Sequence, residues 1–473
     1  MVKQTLKVEN ITLKQAETNE AKERIKSAEE RKKSANETLE EAWERILAMK
    51  NSEADAERLR KVKLAMDAGE IGREPAAEGK KQKRFSKAEA LRMWKDLAER
   101  NKSETLRKMV ESTPDNYVLV DDNPKLLSMR ADVESSDLIA LDCETFGEDN
   151  GALDPWKGTM AGFSVSTDGY NYYIPLNHEV QTVDDEAIVR YLKHTLENAS
   201  IVMHNAPFDA KWFYVKYGVN LIDNLVADTR IMARLLDENR SHRLKDLITD
   251  WLREPSDNFD ELFGNTPFNE INLDVALVYA AGDTEKTLKL YSWMMKHFDS
   301  DREDLAKLKS LLFDIEMPVA RTFIWSDLRG IGFDVEEAEK LDAQFAKEES
   351  QYKAEIDRIF GEEINLNSPA QLKRKLFEDL KLPDIANGST GVKVLKKLAN
   401  KHEVIPLILE YRGVGKLRQA FTEKLPNEVK SDGKIHPWHN TLGADTGRFT
   451  CKDPNTQQIP AKRPEVRKLF IAG

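Results

Sequence analysis

The spacing of hydrophobic positions changes character twice along the chain. Residues 1 to about 115 are rich in Glu, Lys, Ala and Arg, with patchy apolar spacing such as Leu39, Trp43, Ile46 and Leu47, and predict exposed helices. Ser86 followed by Glu89 is a capping-box pattern, after which Leu91, Trp94 and Leu97 fall on one helical face. Between these helices, the Gly/Pro/Lys-rich stretch around 68–85 reads as a linker.

From about residue 116 the pattern becomes that of an α/β layer. Tyr117 to Val120 is a short strand, and Leu138 to Glu144 is an apolar strand that ends in acids. The segments TMAGFSVST and YNYYIPL flank Asp168-Gly169, the strongest hairpin signal in the chain. A helix from about Asp185 to Glu197 precedes a strand from Ile201 to His204, and helices fill most of 208–297. After about residue 300 the chain turns mainly helical, with amphipathic segments near 303–329 and 334–360. The last stretch is rich in turn formers and predicts loops and short strands. The fold class is therefore α/β plus α, in three parts: 1–115, 116–298 and 299–473.

Composition narrows the choices. The 473 residues are 40% hydrophobic and 33% charged, the profile of a charge-rich globular protein. No apolar run approaches the roughly 20 residues of a membrane span, and MVKQTLKVEN lacks the core of a secretory signal, so a cytoplasmic location is expected. Cys143 and Cys451 form neither a disulfide framework nor a zinc-type cluster. A net charge of −11 argues against coating nucleic acid through overall electrostatics. Yet between Val392 and Lys424 eight basic residues face three acidic ones, which suits either a solvated helical face or a phosphate-tracking surface. Lys80, Lys81, Lys83 and Arg84 in the linker leave the same two readings open.

The chemistry lies in acids. An acid-x-acid pair is common, since 83 acidic residues produce about fourteen by chance. Asp142 and Glu144 differ because they terminate an apolar strand, where period-two alternation puts both on one face and Cys143 on the other, as a small core residue. Asp209 follows the strand at 201–204, beside Asn205 and Phe208, as a site residue or a helix N-cap. Tyr279 and Asp283 are four apart on a helix and share a face, as a hydrogen-bonded pair or as part of a site. Four carboxylates in one pocket repel each other unless cations neutralise them. Mg²⁺ or Mn²⁺ prefers carboxylate oxygen, and two such ions about 3.5–4 Å apart can hold both oxygens of a phosphodiester displacement.

This motif set, Asp142 and Glu144, then Asn205 and Asp209, then Tyr279 and Asp283, resembles the DEDDy subgroup of 3′–5′ exonucleases. The chain that follows resembles DNA polymerase family A, the bacterial and phage DNA polymerase I type. EMPVARTFIWSDLRGIGFDV, INLNSPAQL and LILEYRGVGKL carry the likeness, with Thr446 to Pro460 supplying the TGR…DPNxQxIP signature. The resemblance covers about 116–473; residues 1–115 match nothing known to us.

The resemblance implies a ribonuclease-H-like exonuclease domain at 116–298, then a polymerase thumb and the opening of a palm. It implies two divalent ions, Mg²⁺ or Mn²⁺, with Asp142, Glu144 and Asp283 on one, Asp142 bridging, and Asp209 on the other. Tyr279, with an ordinary pKa of about 10, orients the attacking water rather than acting as its base. Thr145, Asn205 and Phe208 contact the terminal nucleotide, and Asp228 supports from outside the ligand set. Arg448, Asn455 and Gln457 match DNA-facing positions; Gln458, Cys451 and Lys452 depart from the family pattern. The sequence ends at Gly473, ahead of the family's polymerase aspartates and nucleotide-binding helix. The expected partners are therefore DNA and a complementing C-terminal polymerase chain, with no membrane. The expected activity is proofreading 3′–5′ hydrolysis. The alternatives are a stand-alone exonuclease and a non-catalytic DNA-binding scaffold.

Overall fold

Three apolar runs, all buried, pair into the middle of a six-stranded sheet and set the frame for everything that follows. The computed structural model describes residues 102–182, 184–256, 259–444 and 446–472. The helices and linker expected before residue 102, including the Ser86 cap, the Leu91, Trp94 and Leu97 face and the Lys80–Arg84 basic run, lie outside them. Residues 102–111 are helical and belong to a unit distinct from 112–473.

In the second unit, β1 (Tyr117–Leu119) leads to α1 (Asn123–Ser135), β2 (Ile139–Phe146), β3 (Thr159–Ser166) and β4 (Asn171–Pro175). Then come α2 (Asp185–Asn198), β5 (Ile201–Met203), α3 (Pro207–Tyr217) and β6 (Leu225–Asp228). The layer closes with α4 (Thr229–Leu236), α5 (Leu244–Leu247) and α6 (Leu273–Phe298). Strand order is β1-β4-β3-β2-β5-β6, with β3 antiparallel to β2 and β4 and the other pairs parallel. The Asp168-Gly169 hairpin forms as expected, its turn fastened by Thr167 Oγ1, which accepts from the Tyr170 amide at 3.1 Å. One element departs from the sequence expectation: β6 interrupts the helices of 208–297, because a four-residue LVAD strand is too short to show a period.

Helix α6 packs across β2, β3 and β4 and buries Ala276, Ala280, Ala281 and Thr284. Small residues there let helix and sheet approach closely. The helix expected near 303–329 is broken by a π-turn at Leu312–Glu316, which leads into α7 (Met317–Arg329). Met317, Ala320, Ile324 and Leu328 of α7 join the same core as Trp212 and Phe213 of α3. At that seam Lys211 Nζ donates to Asp327 Oδ2 at 2.5 Å, both side chains only 2% exposed.

Beyond β7 (Ile331–Phe333), α8 (Val335–Phe360) and α9 (Val404–Leu417) pack together. A separate core forms from Ile356, Leu372, Leu376, Leu395, Ile405 and Ile408. Short strands finish the chain: β8 (Lys434–Ile435), β9 (Trp438–Asn440), β10 (Thr450–Lys452) and β11 (Phe470–Ile471). They pair as β8-β7-β11 and β9-β10, over a third core that includes Phe345, Val414 and Leu469. The basic stretch divides by role. Arg412 donates to the carbonyls of Thr390 and Leu366, and Arg418 pairs with Asp342 and Glu349, whereas Lys393, Lys396, Lys397 and Lys401 are exposed. Among the described residues no helix is long and apolar enough to cross a membrane.

Candidate active site

Strand β2 presents Asp142 and Glu144 on one face and buries Cys143 on the other, as the two-residue period requires. Directly opposite Glu144 on β3 is Gly162. A Cβ there would lie 2.4 Å from the Tyr173 hydroxyl and 2.6 Å from the Ile174 carbonyl oxygen, so only glycine fits. The Tyr173 hydroxyl is fixed at 2.7 Å from His178 Nε2. The ladder slips by one residue after Glu144, and Thr145 Oγ1 donates to the Ala152 carbonyl at 2.6 Å.

Asp209 stands in the first turn of α3 and is not its cap, a place taken by Ala206 with Pro207 next. Its Oδ1 accepts from the Cys143 backbone amide at 2.9 Å, which fastens α3 to β2 inside the fold. Asp228 ends β6 and caps α4 by accepting from the Arg230 amide at 2.8 Å. It also accepts from the amides of Asn205 at 3.0 Å and Ala206 at 2.9 Å. Those two bonds hold Asn205 in the left-handed region, at φ 70°. Arg230 Nη1 completes the turn by donating to Asn205 Oδ1 at 2.8 Å. Asn205, Phe208 and Arg230 line a cavity of about 700 Å³ whose far wall includes Phe323, Trp438 and His439.

Tyr279 and Asp283 lie one turn apart on α6. Tyr279 is packed by the rings of Phe259, Phe263 and Phe268 at 5.5–6.2 Å. Lys245 of α5 reaches between them: its ammonium pairs with Asp283 Oδ1 and sits 4.3 Å from the centre of the Tyr279 ring. The motifs gave no sign of it, since one lysine among 72 basic residues has no period or spacing to mark it. Arg230 was invisible for the same reason.

Electrostatics bind the cluster together. Burial, then repulsion from Asp209, Glu144 and Asp283, pushes the Asp142 carboxyl well above its ordinary value, against the pull of Lys245. Burial and then Asp283 push Glu144 up to about 8. Burial raises Asp209 to about 7 despite the Cys143 amide. Three carboxyls held above their ordinary values, with the Asp283 carboxylate beside them, form a donor set of the right kind for hard divalent cations. Among the described residues, however, no three His, Cys, Asp or Glu side chains converge closely enough to grip an ion as they stand. Asp209 is turned to a backbone amide and Asp283 to Lys245.

Arg448, Asn455 and Gln457 are exposed on the segment around β10, whose Lys452 and Asp453 border the same cavity. Asn455 Oδ1 accepts from the Gln457 amide at 3.1 Å, and Phe449, beside Arg448, is 45% exposed.

Comparison with known proteins follows this division of the chain. Residues 117–299 match the family model for a 3′-5′ exonuclease, and residues 335–473 match that for DNA polymerase family A. DNA polymerase I of Treponema pallidum is 30% identical over 381 residues, spanning 70% of this chain and 37% of that protein. Those of Borreliella burgdorferi and Pseudomonas aeruginosa are 29% and 27% identical, each over 81% of this chain and 43% of the relative. The chain thus spans less than half the length of these curated relatives. Among solved structures, the POL domain of Pol1 from M. smegmatis, in complex with DNA primer-template and dNTP, has a similar fold. The TM-score is 0.59 at 22% identity, over 75% of this chain and 59% of that one.

Proposed function

We infer proofreading hydrolysis as the chemistry of a chain whose residues 117–299 match the 3′-5′ exonuclease family model and whose residues 335–473 match that of DNA polymerase family A. The reaction would release 3′-terminal nucleotides from DNA with two divalent ions, Mg²⁺ or Mn²⁺. The observation that carries this reading is the grouping of Asp142, Glu144, Asp209 and Asp283 in one site, where burial raises the carboxyls of Asp142, Glu144 and Asp209 and neighbouring acids add to the rise at Asp142 and Glu144.

In this reading Asp142, Glu144, Asp209 and Asp283 would hold the ions. Divalent ions would supply Lewis acidity and charge neutralisation at the phosphodiester. The protein's own groups do the placing. Tyr279, fixed by its aromatic surround, orients the attacking water with its hydroxyl. Phe208 offers a ring face to the terminal base, and Asn205, locked by Asp228 and Arg230, offers its amide to the sugar. Thr145 adds a contact through its backbone, its hydroxyl being engaged with Ala152. Arg448, Asn455 and Gln457 face duplex DNA. We assign 116–298 to hydrolysis, in a ribonuclease-H-like fold, and 299–473 to holding DNA, with the protein at work in the cytoplasm.

The test is degradation of a 5′-labelled oligonucleotide by the full chain. Asp142→Ala with Glu144→Ala should remove Mg²⁺-dependent shortening from the 3′ end, by at least about 10³-fold; shortening at the parent rate sinks the reading.

A further inference from the structure

Among the described residues, Lys245 is the basic group paired directly with the carboxylate centre, and hydrolysis does not call for it. Its side chain is 15% exposed and that of Asp283 10%, so the pair is withdrawn from water and unlike a screened surface ion pair. Its charge also reaches Asp142 and Glu144, where it opposes the repulsion from the other carboxylates. Lys286, three residues after Asp283 on α6, adds its charge to the field at Asp283, but its ammonium donates to the Pro255 carbonyl at 3.2 Å. A single ammonium offers three donors and one positive charge, so it offsets only part of what four carboxylates carry. It nevertheless takes the oxygen of Asp283 that a divalent ion would need.

Resting on the nuclease reading of this centre, we propose that Lys245 is a built-in counter-cation that competes with divalent ions for Asp283. With no ion present it holds α5 against α6 and keeps the acids together. When an ion loads, Lys245 gives up Asp283 and, with it, its position over the Tyr279 ring. Ion binding and the setting of the tyrosine are thereby linked, and linkage is reciprocal: whatever strengthens the Lys245–Asp283 pair weakens ion binding by the same factor. The lysine accordingly sets the ion concentration at which the centre switches on.

Lys245→Met keeps the length of the stem and removes the charge. The full chain and this variant are titrated with MnCl₂ alone by calorimetry, and melted in EDTA and in saturating MnCl₂. The variant should bind Mn²⁺ about tenfold more tightly. It should also melt below the parent in EDTA and recover most of that difference in MnCl₂. Lys245→Arg, which keeps the charge, should stay close to the parent in both. Equal or weaker Mn²⁺ binding by Lys245→Met overturns the proposal. If that variant is unfolded in EDTA, folding on addition of MnCl₂ supports the proposal and failure to fold rejects it. A nuclease that depends on Asp142 yet shows unchanged Mn²⁺ affinity in Lys245→Met defeats this inference alone. A nuclease indifferent to Asp142 and Glu144 defeats the reading beneath it.

Discussion

Glu144 and Asp209 load the metal-free fold in a way that pH can read. Burial holds the Glu144 carboxyl protonated up to about 8 in the fold, against an ordinary 4.5 in the unfolded chain. Between those values the native state carries the extra proton, so stability is full below about 4.5 and is lost as pH rises through about 8. Asp209, raised from 3.8 to about 7, acts in the same sense over a lower window. In EDTA the melting temperature should fall between pH 5 and pH 8.5, and Glu144→Gln should flatten the decline; a melting temperature that climbs over this range contradicts the assignment. Asp228 makes a different kind of contribution, because its two oxygens receive three backbone amides. Asp228→Asn turns one oxygen into a donor facing another donor, a loss of about 1–3 kcal/mol in urea denaturation. Because the released amides belong to Asn205 and Ala206, KM for the DNA end should rise more than kcat falls.

At the scale of elements, what was legible followed from length and period. Strand β2 announced itself by an apolar run closed with two acids, and α6 by a long pattern carrying Tyr279 and Asp283 on one face. Strand β6 escaped because four residues hold no period, although Asp228 at its end was recognised by resemblance. The π-turn at 312–316 escaped because a one-residue bulge in a helix hardly disturbs its apolar stripe. Elements are joined by features with no sequence signature at all, of which the Lys211–Asp327 pair between α3 and α7 is the clearest. Lys211→Met leaves Asp327 buried without its ammonium and should lower stability by about 3–5 kcal/mol in chemical denaturation. A change under about 1 kcal/mol would show that the remaining partners of Asp327 suffice. Gly162→Ala brings a methyl onto the Tyr173 hydroxyl and the Ile174 carbonyl, at the position facing Glu144. It should cost about 1–3 kcal/mol and reduce ion affinity together.

For the whole molecule, the candidate acids could be proposed from sequence because metal chemistry restricts which residues can serve, whereas the groups that touch them could not. Lys245, Arg230 and Tyr173 are set by where the chain happens to bring them, and only coordinates reveal that. The change of pattern near residue 300 was readable in the sequence, and the family models match on either side of it, at 117–299 and 335–473. The packing of α7 into the core of the sheet layer was not, because an amphipathic helix does not declare which neighbour its apolar face will meet. Divalent ions that bind only the native state at 100 times their Kd should add about 2.7 kcal/mol. Comparing melting curves of the full chain in EDTA and MnCl₂ checks this, and identical curves would mean that the centre holds no ion.

Asp327 has one more implication. Besides Lys211 of α3 it receives His439 of β9, through the ring nitrogen at 2.5 Å and the backbone amide at 3.1 Å. Lys211 in turn lies 3.7 Å from the centre of the Trp438 ring. The near and far walls of the cavity beside Asn205 are thus riveted through one aspartate. Spreading them would strand a negative charge in the interior, so the cleft keeps its width as contents change. If the proposed reading holds, a nucleic-acid end arriving there would meet a gauge rather than a clamp. Fit to a fixed opening, not closure around a guest, would then decide what passes toward the acids.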